Sequence, residues 1–406
     1  MSDAPPGSLL DALTIADPYP FLAWTREHEP VVRVDDTPLH LVTTWDLVVD
    51  AVGRIDDFSS NLNALVYTDD AGRPALFDMT PLGTNIQTFA TADPPAHALH
   101  RQTVFPALLE RKMATLEEFA TTTARRLIVD GARDGRLDVT GALANRLPMM
   151  VLCEVMGFPP TTDVDALIGY AFDGTELLAG TNTLADMMRL SERAAEAGAL
   201  LADWLDQAAA DSDAGVLDAV ARGVADGALT REEGVSTLVI LLGAGGESTA
   251  GLIGNCVRRL AEDDSVEAAL RMDRSLVERF VEEVLRLETP FKGHFRTVRR
   301  STVLGGVELA PGDTLLLMWS SANRDPTHFE DADALRLDRE HPRDHLGFGR
   351  GIHHCVGAPL ARREARVAVD ELLDKSTNLA LDPGSPPRYV NSCFVRRHDT
   401  LAVTLH

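Results

Sequence analysis

Apolar residues recur every three or four positions through the middle and the end of the chain, the spacing that predicts amphipathic helices. The pattern covers residues 113–130, 187–210, 215–222, 231–257, 275–287 and 357–373. Thr230, followed by Glu232 and Glu233, is a favourable start for the helix over 231–257, because acidic groups stabilise the positive end of a helix dipole. Pro290 is expected to end the helix over 275–287.

Shorter apolar runs, separated by turn residues, predict small β-sheets. Residues 31–34 and 39–42 are two such runs, residues 302–309 form a hairpin around a Gly-Gly pair, and residues 314–319 follow a Pro-Gly-Asp turn. Residues 71–95 are rich in glycine, proline, threonine and aspartate, which predicts a long loop. The pattern predicts a mainly α-helical protein with small β-sheets. No Gly/Ser-rich linker divides it, so residues 1–406 are expected to form one domain.

The charge balance limits the classes of partner. The 406 residues carry a formal net charge of -24, which argues against binding to nucleic acid or to anionic membranes, since both require a basic face. The four cysteines form no CxxC pair, as expected for reduced thiols in a cytoplasmic protein. Residues 1–20 are unlike a signal peptide, and the apolar run 238–253 is short for a membrane span, so it predicts a buried helix.

A glycine-rich loop around Cys355 carries the first candidate chemistry. Gly347, Gly349 and Gly351 precede the cysteine, which lets the backbone adopt positive φ or pass close to a flat partner. Gly357 leads into the last predicted helix, so Cys355 precedes a helix N-terminus, where free N–H groups favour a thiolate over a thiol.

From these residues alone, the role of Cys355 stays open. A thiolate there can act as a nucleophile, as a zinc ligand together with His353 and His354, or as an axial haem ligand. The cysteine can also be incidental to a turn-rich loop.

Residues 348–357 read Phe-Gly-x-Gly-x-His-x-Cys-x-Gly, which resembles the haem-binding loop of the cytochromes P450 at all six fixed positions. The resemblance implies that Cys355 ligates the iron of haem b and that Phe348 shields the sulfur. Gly349, His353 and Gly357 would complete the cofactor loop. A thiolate ligand favours cleavage of the O–O bond, so the resemblance implies a monooxygenase.

Other segments resemble the motifs of this family in the same order, over nearly the whole chain. Residues 93–101 look like the start of helix C, where His97 and Arg101 would bind a haem propionate. Arg296 stands where the family places another propionate ligand. Taken alone, a His and an Arg four residues apart usually form a solvated helix face.

Residues 244–249, Ala-Gly-Gly-Glu-Ser-Thr, resemble the oxygen-binding stretch of the long central helix. Ala244 would contact haem, and Glu247 with Ser248 would deliver protons, with Thr249 sharing that role. The alternative is that Glu247 makes a hydrogen bond between helices. The family most often has Thr after the acid, so Ser248 predicts looser coupling of oxygen use to product.

Glu283 and Arg286 resemble the Glu-x-x-Arg pair of helix K, which in the family is buried and joined by an arginine of the following meander. Arg339 stands near that place. Taken alone, such a pair is most often a surface ion pair. The meander departs from the family at Ala332, Ala334 and Leu335, which puts the role of Arg339 in doubt.

The resemblance implies the cytochrome P450 fold, with haem between the long central helix and the helix after the cysteine loop. By position, the substrate pocket would be lined by two segments, 77–89 and 177–188, and by single residues: Leu241, Phe291, His294 and Phe394. These are mostly apolar, which predicts a hydrophobic small-molecule substrate. Lys292 and His294 are unusual at such positions: they could contact a carboxylate, a phenol or a ketone, or they could point to solvent, which is the expectation for Lys292.

Soluble bacterial members of the family take electrons from a ferredoxin, which is reduced by a ferredoxin reductase. On this acidic chain the docking face must be locally basic, and the arginines around the cysteine loop are expected to form it: Arg350, Arg362, Arg363 and Arg366. A peroxide-driven peroxygenase and a haem sensor or carrier are the alternatives. Both would have little use for the acid–alcohol pair at Glu247 and Ser248.

Overall fold

The computed structural model describes residues 5–82, 86–108, 110–208 and 215–406. Its α-helices are α1 (Ala12–Ala16), α2 (Tyr19–His28), α3 (Trp45–Gly53), α4 (Ala96–Val104), α5 (Glu110–Gly131), α6 (Arg146–Met156), α7 (Val164–Glu176), α8 (Leu184–Gln207), α9 (Val216–Ala225), α10 (Arg231–Glu262), α11 (Asp264–Met272), α12 (Leu276–Leu287), α13 (Trp319–Ala322) and α14 (Ala358–Lys375). Short 3-10 or π-helical turns cover Thr80–Leu82, Phe89–Thr91, Phe105–Leu108, Val139–Ala144 and Gly351–His353.

The strands are short. They are β1 (Val31–Arg33), β2 (Leu39–Val42), β3 (Phe58–Ser59), β4 (Ala64–Thr68), β5 (Pro74–Asp78), β6 (Arg136–Asp138), β7 (His294–Val298), β8 (Thr302–Leu304), β9 (Val307–Leu309), β10 (Thr314–Leu317), β11 (Leu379–Leu381), β12 (Arg388–Tyr389), β13 (His398–Thr400) and β14 (Ala402–Leu405). The prediction of a mainly α-helical protein with small sheets is confirmed.

The central helix α10 organises the core. Thr230 caps its start: the side chain accepts from Glu233 N, and the Glu233 carboxylate accepts from Thr230 N in return. The helix runs for 32 residues, five beyond the predicted end at 257, and packs against α6, α7, α8, α12 and α14. It therefore forms one wall of any site built between the helices.

A five-stranded sheet lies beside the helices in the order β1-β2-β10-β7-β3, with β10 parallel to β2 and the other pairs antiparallel. Strands β2 and β10 are buried at every position, which explains their continuous apolar sequences. In β7, alternation places His294 and Arg296 on the same face. The predicted strands at the N-terminus and the 302–309 hairpin are confirmed.

The predicted long loop over 71–95 is wrong in part. Strands β4 and β5 form a hairpin closed by a turn at Asp69–Gly72, in which Gly72 has a φ of 77°. The turn residues and Pro74 made this segment look irregular, although Ala75, Leu76 and Phe77 form a short apolar run. Residues 83–85 lie outside the described part of the chain.

The predicted helix over 187–210 corresponds to α8, which begins earlier because Thr183 and Asp186 form a capping box. Residues 209 and 210 lie outside the described residues, as do residues 1–4 of the N-terminal segment. Helices α6 and α7 were not predicted from the sequence. Both pack directly on α10.

Two helical stretches, Val139–Met156 and Arg231–Glu262, are long and apolar enough to cross a membrane by length and composition. In both, 61% of the most apolar window is buried inside the protein. Burial of this kind is typical of core helices, and the prediction of a buried helix over 238–253 is confirmed within α10.

Glu283 and Arg286 of α12 form a buried ion pair, with Arg286 Nε 2.9 Å from Glu283 Oε1. Arg286 also donates to the backbone carbonyls of Ala332 and Ala334 in the meander. Arg339 Nε lies 2.8 Å from Glu283 Oε1. The arginine whose role the sequence left in doubt therefore does join the pair, and the meander contributes through its backbone rather than its side chains.

Candidate active site

A cavity lies between α10 and the cysteine loop that precedes α14. Its lining comes from α4 (His97, Arg101), α6 (Pro148, Leu152, Val155, Met156), α10 (Ile240, Leu241, Ala244, Gly245, Ser248, Thr249, Leu252), β7 and the residues before it (Pro290, Phe291, His294, Arg296), Trp319, and the cysteine loop with α14 (residues 347–350, 353–357, Leu360, Ala361, Glu364). Most of the cavity wall is apolar, and the polar groups gather near the cysteine loop.

The cysteine loop turns sharply beneath this cavity. Gly349 and Gly351 have φ values of 67° and 73°, a left-handed conformation that favours glycine. A side chain at Gly347 would press on His345 and on the carbonyl of Leu285. Gly349 and Gly351 thus adopt the positive φ that the sequence predicted, whereas Gly347 is favoured by this close packing.

Cys355 faces the cavity from the end of this loop, just before α14, as predicted. Its backbone N–H donates to the Phe348 carbonyl at 3.0 Å. Burial raises the pKa of the Cys355 thiol, and the N–H groups of Gly357 and Ala358 oppose that shift without cancelling it. The N–H groups at the start of α14 thus act in the direction that the sequence predicted, towards the thiolate, and desolvation acts against them.

Phe348 also lines the cavity, beside Cys355 in the wall. Its ring is covered from the other side by the Arg362 guanidinium, 4.4 Å from the ring centroid. The phenyl ring thus stands between this part of the cavity and a charged, solvent-facing side chain, which fits a shielding role.

Four cationic or imidazole side chains meet at one end of the cavity: His97, Arg101, Arg296 and His353. The His97 and His353 rings lie 4.1 Å apart, and His353 Nε2 is 3.0 Å from Ser60 Oγ. Arg101 donates to the His354 carbonyl at 2.9 Å. The motifs that carry these residues are far apart in sequence, and the fold brings them together.

Arg296 provides the test of whether this end suits an anion. Its guanidinium is buried and donates to the Phe295 carbonyl, and within the described ranges no carboxylate lies at ion-pair distance from it. Burial lowers its pKa to about 10. A buried guanidinium without a counter-charge is unfavourable, so its surroundings suit the carboxylates of a bound group. The residues present fit haem b.

The zinc alternative finds no support. Within the part of the chain that the structure describes, no group of three or more His, Cys, Asp or Glu side chains is arranged to hold a metal ion. The His353 ring contacts His97 instead, and burial lowers the pKa of His353 to about 3. The cavity therefore offers a thiol, a mostly apolar wall and the buried Arg296 guanidinium, for which the described residues provide no carboxylate partner.

The middle of α10 divides into two faces. Ala244, Ser248 and Thr249 line the cavity, and Ser248 Oγ donates to the Ala244 carbonyl at 2.6 Å. Glu247 points away from it: its carboxylate accepts from Thr175 on α7 and from Arg397 Nε at 2.8 Å. The contact with Thr175 agrees with the alternative interpretation from the sequence, that Glu247 makes a hydrogen bond between helices.

Burial raises the pKa of Glu247 to about 7, although the charge of Arg397 acts in the opposite direction. Desolvation is the larger effect because the carboxyl group is enclosed between α7 and α10. Glu247 therefore exchanges a proton close to neutral pH, even though it does not face the cavity.

Of the predicted pocket residues, Leu241, Phe291 and His294 line the cavity. Phe394 lies behind them, its ring stacked on Phe291 at 4.9 Å between centroids. Within the described residues, the segment 177–188 supplies no lining side chain, and the loop 77–89 supplies only Phe89. The described cavity is closed instead by α6, which the sequence did not predict.

The expectation that Lys292 points to solvent is wrong. Lys292 is 2% exposed, and its Nζ donates to the Ser392 carbonyl at 2.6 Å. Burial lowers its pKa to about 7. The sequence around Lys292 gave no sign of the C-terminal loop that covers it.

Three residues near the site carried no recognised signal in the sequence. Trp319 follows the apolar run of β10, Arg397 belongs to a polar C-terminal segment, and Glu364 looks like an ordinary charge on α14. Glu364 is 3% exposed, its Oε2 has no hydrogen-bond partner, and burial raises its pKa well above the usual range. The available clue was an acid placed four residues after Leu360 and four before Ala368, both of which are buried.

Comparison with known proteins agrees with this geometry. The sequence model described as Cytochrome P450 matches residues 252–391. The chain is 39% identical over 395 residues to Cytochrome P450 144 of Mycobacterium tuberculosis, covering 97% of this chain and 90% of that protein. It is 31% identical to the Vitamin D(3) 25-hydroxylase of Pseudonocardia autotrophica, covering 96% and 94%.

The fold is also that of solved members. CYP109E1 from Bacillus megaterium, crystallised with testosterone, superposes with a TM-score of 0.84 at 26% identity, over 97% of this chain and 99% of that one. Since the likeness spans nearly the whole chain and includes the cysteine loop, the chain belongs to the cytochrome P450 family of haem b monooxygenases, which act on small molecules with dioxygen.

Proposed function

We propose that the protein is a soluble cytoplasmic monooxygenase that receives two electrons from a ferredoxin, itself reduced by a ferredoxin reductase, and inserts one oxygen atom into a hydrophobic small molecule. One observation carries this proposal: Cys355, an unpaired buried cation and an apolar wall with two hydroxyls share one cavity. The relatives that hydroxylate vitamin D3 or bind testosterone support an apolar substrate.

The roles of the cavity residues follow from their chemistry. Cys355 would hold the iron, with Gly349 and Gly357 shaping the loop. His97, Arg101, Arg296 and His353 would bind the two carboxylates, which need cationic or hydrogen-bonding partners when buried. Haem b, when bound, supplies the redox chemistry and the activation of dioxygen.

The apolar walls would bind and orient the substrate. Leu241, Leu252 and Phe291 line the space beside Ala244, Ser248 and Thr249 of α10. Burial of apolar surface favours binding by about 25 cal/mol per Å². The same surfaces exclude bulk water from the reacting centre, which strengthens the electrostatic interactions within it.

Proton delivery would fall to Glu247 with the hydroxyls of Ser248 and Thr249. Because the pKa of Glu247 is about 7, its carboxyl group holds a proton for part of the time at neutral pH. The proton can reach the cavity only when the carboxyl group leaves Arg397 and Thr175 and turns towards Ser248. Ser248 Oγ, which donates to Ala244 O, would then accept a hydrogen bond from it.

The proposed ferredoxin surface is a groove beside the cysteine loop. It is lined by Glu117, Glu278, Glu282, Arg343, Arg362, Arg363 and Arg366. Glu117 pairs with Arg363 at 2.5 Å and also with Arg366, and Glu282 pairs with Arg362 at 2.6 Å. These arginines are thus partly neutralised, and the net local charge is smaller than the sequence suggested.

The exposed Arg350 has no ion-pair partner within the described residues, and Arg343 is 68% exposed. The four arginines of the groove, which include Arg343, exceed its three glutamates by one, and Arg350 adds a second positive charge on a chain whose net charge is -24. Such a patch would steer an acidic ferredoxin towards the cysteine loop.

The first test is the optical spectrum of the dithionite-reduced protein under carbon monoxide. The wild type should give a strongly red-shifted Soret band, and Cys355→Ala should lose it, since only a thiolate ligand produces that shift. Cys153→Ala, which changes a cysteine outside the cavity lining, is the matched control. A band of the same position in Cys355→Ala and wild type would contradict ligation by Cys355.

The second test separates the proposed activity from its alternatives. With a surrogate ferredoxin, its reductase and a bound apolar compound, the protein should consume reduced nicotinamide and form an oxygenated product. Product formed with peroxide alone, and none with the electron-transfer proteins, would identify a peroxygenase. Haem binding with no turnover under either condition would identify a sensor or carrier.

A further inference from the structure

A histidine in the cavity wall has a fixed orientation. Trp319 Nε1 lies 2.6 Å from His294 Nδ1, and both residues line the cavity. An indole N–H can only donate, so His294 Nδ1 must be the acceptor. In a neutral imidazole the hydrogen then resides on the other nitrogen, Nε2. Trp319 therefore makes His294 a donor at Nε2.

The His294 ring stays neutral at physiological pH. Burial and the neighbouring Arg296 guanidinium lower its pKa to about 3. Protonation of Nδ1 would also break the hydrogen bond from Trp319. His294 Nε2 thus carries a hydrogen, and can donate, at every pH near neutral.

This donor has no partner in the described part of the protein. Trp319 provides the hydrogen bond of the His294 ring, and no acceptor for Nε2 is found within residues 5–82, 86–108, 110–208 and 215–406. The ring stands among aromatic side chains, 6.0 Å from Phe291 and 5.7 Å from Phe394 between centroids. A donor left without an acceptor in such surroundings is unfavourable, so an acceptor in the bound ligand would stabilise the complex.

We propose that His294 is a substrate-binding residue that donates from Nε2–H to a neutral oxygen, such as a ketone, ester or hydroxyl oxygen, of an otherwise apolar substrate. Trp319 is the positioning residue that fixes the tautomer. This inference rests on the proposed function and names its substrate class. It assigns regioselectivity to one hydrogen bond, because a ligand held at its oxygen presents a defined carbon to the reacting centre.

A carboxylate of bound haem is the other group whose oxygen could accept a hydrogen bond from His294 Nε2–H. The charge of Arg296, two residues along the same face of β7, matches a carboxylate better than a neutral imidazole does. His97 and His353 face the same end of the cavity as Arg296. His294 is therefore assigned to the substrate, and the experiment below distinguishes the two sources.

The test uses pairs of ring compounds of the same size, each a cyclic ketone and its parent hydrocarbon, titrated calorimetrically into the haem-loaded protein. The wild type should bind each ketone more tightly than its hydrocarbon. His294→Phe should weaken ketone binding about tenfold, which is the effect expected when the donor of one hydrogen bond is removed. The same variant should leave hydrocarbon binding nearly unchanged. Phe291→Leu, a change of shape in the same wall, should alter both members of a pair alike.

Trp319→Phe keeps the imidazole and removes the group that fixes it. In the diamagnetic ferrous carbon monoxide form, ¹⁵N shifts of labelled histidine should show a protonated Nε2 and an unprotonated Nδ1 in the wild type. The variant should show a mixture of tautomers and lose part of the ketone preference.

Three results would overturn the inference. The first is a wild type that binds no ketone more tightly than its hydrocarbon, and the second is a His294→Phe variant that weakens the binding of both equally. The third is a His294→Phe variant that loses haem faster to apomyoglobin while the ketone preference persists, which would assign the donor to a haem carboxylate. In each case nicotinamide-dependent product formation would still support the proposed function.

Discussion

Glu247 shows how one side chain links stability to pH. Burial raises its pKa from 4.5 to about 7, so the folded protein binds the proton more tightly than the unfolded chain does. The resulting stabilisation is complete below pH 4.5 and is lost as the pH rises through 7. At about 1.4 kcal/mol for each tenfold change in proton affinity, the loss is about 3 kcal/mol.

Glu247→Gln should remove this dependence, since an amide does not titrate. The free energy of unfolding, measured by denaturant titration at pH 4.5 to 8, should fall more steeply with pH in the wild type than in Glu247→Gln. Glu262→Gln, a partly exposed position on the same helix, is the control. Parallel curves for wild type and Glu247→Gln would show that Arg397 compensates fully for the buried charge.

Single residues were predictable where a motif fixed them. The spacing around Cys355 and the distant His97, Arg101 and Arg296 were all assigned to one cofactor from the sequence, and the fold does bring them to one cavity. Lys292 was placed wrongly, because its burial depends on the C-terminal loop, 100 residues away along the chain. The two side chains that donate to Glu247 could not be predicted either, since Thr175 and Arg397 belong to other elements.

At the scale of elements, α12 is anchored by its buried ion pair. Arg286→Ala would leave the Glu283 carboxylate buried without its main partner, at a cost of about 3–5 kcal/mol in the free energy of unfolding. Equilibrium unfolding in urea, followed by the haem absorbance and by circular dichroism, measures this loss.

Arg279→Ala on the same helix is the matched control. Arg279 donates to the carbonyl of Arg339, but its removal leaves no buried charge, so its loss should be about 1 kcal/mol. Equal losses for the two variants would mean that Glu283 and Arg286 contribute as ordinary hydrogen bonds rather than as a buried pair.

Helices with regular apolar spacing and a clear cap, such as α10, were predictable to within a few residues. Helix α6 was not, because it is buried on several sides and its apolar residues do not form one stripe. Helix α7 was missed for another reason: its buried stripe is narrow, and two of its three residues, Ala171 and Thr175, are only weakly apolar. Strands β4 and β5 were missed because pairing between neighbouring strands, rather than local composition, holds them.

At the scale of the whole molecule, charge is unevenly distributed. Arg350→Glu should weaken the functional interaction with ferredoxin about 2–5-fold, the range for one exposed charge pair, and the effect should fade as salt is added. The measurement is the KM for ferredoxin in the reduction of the haem protein at low and high ionic strength.

Arg388→Glu provides a control of equal charge change on the hairpin β12–β13. It should leave the KM for ferredoxin near the wild-type value. An equal effect of both substitutions would show that net charge, rather than a local docking surface, governs the association.

The sequence predicted the need for a local basic surface, but not how far acids would neutralise it. Glu117 comes from α5 and Glu282 from α12, and only the packing of these helices against α14 places them beside the arginines. Overall charge can be summed from composition. Its pairing depends on tertiary structure.

The contacts of Arg286 with the meander have a consequence for how such proteins diverge. The guanidinium is held by the carbonyls of Ala332 and Ala334, and every amino acid carries the same carbonyl. Mutations can therefore replace the side chains of this segment while its backbone keeps the same path and the same hydrogen bonds to Arg286. Descendant proteins can therefore lose the recognisable sequence motif of the meander and still keep its backbone path.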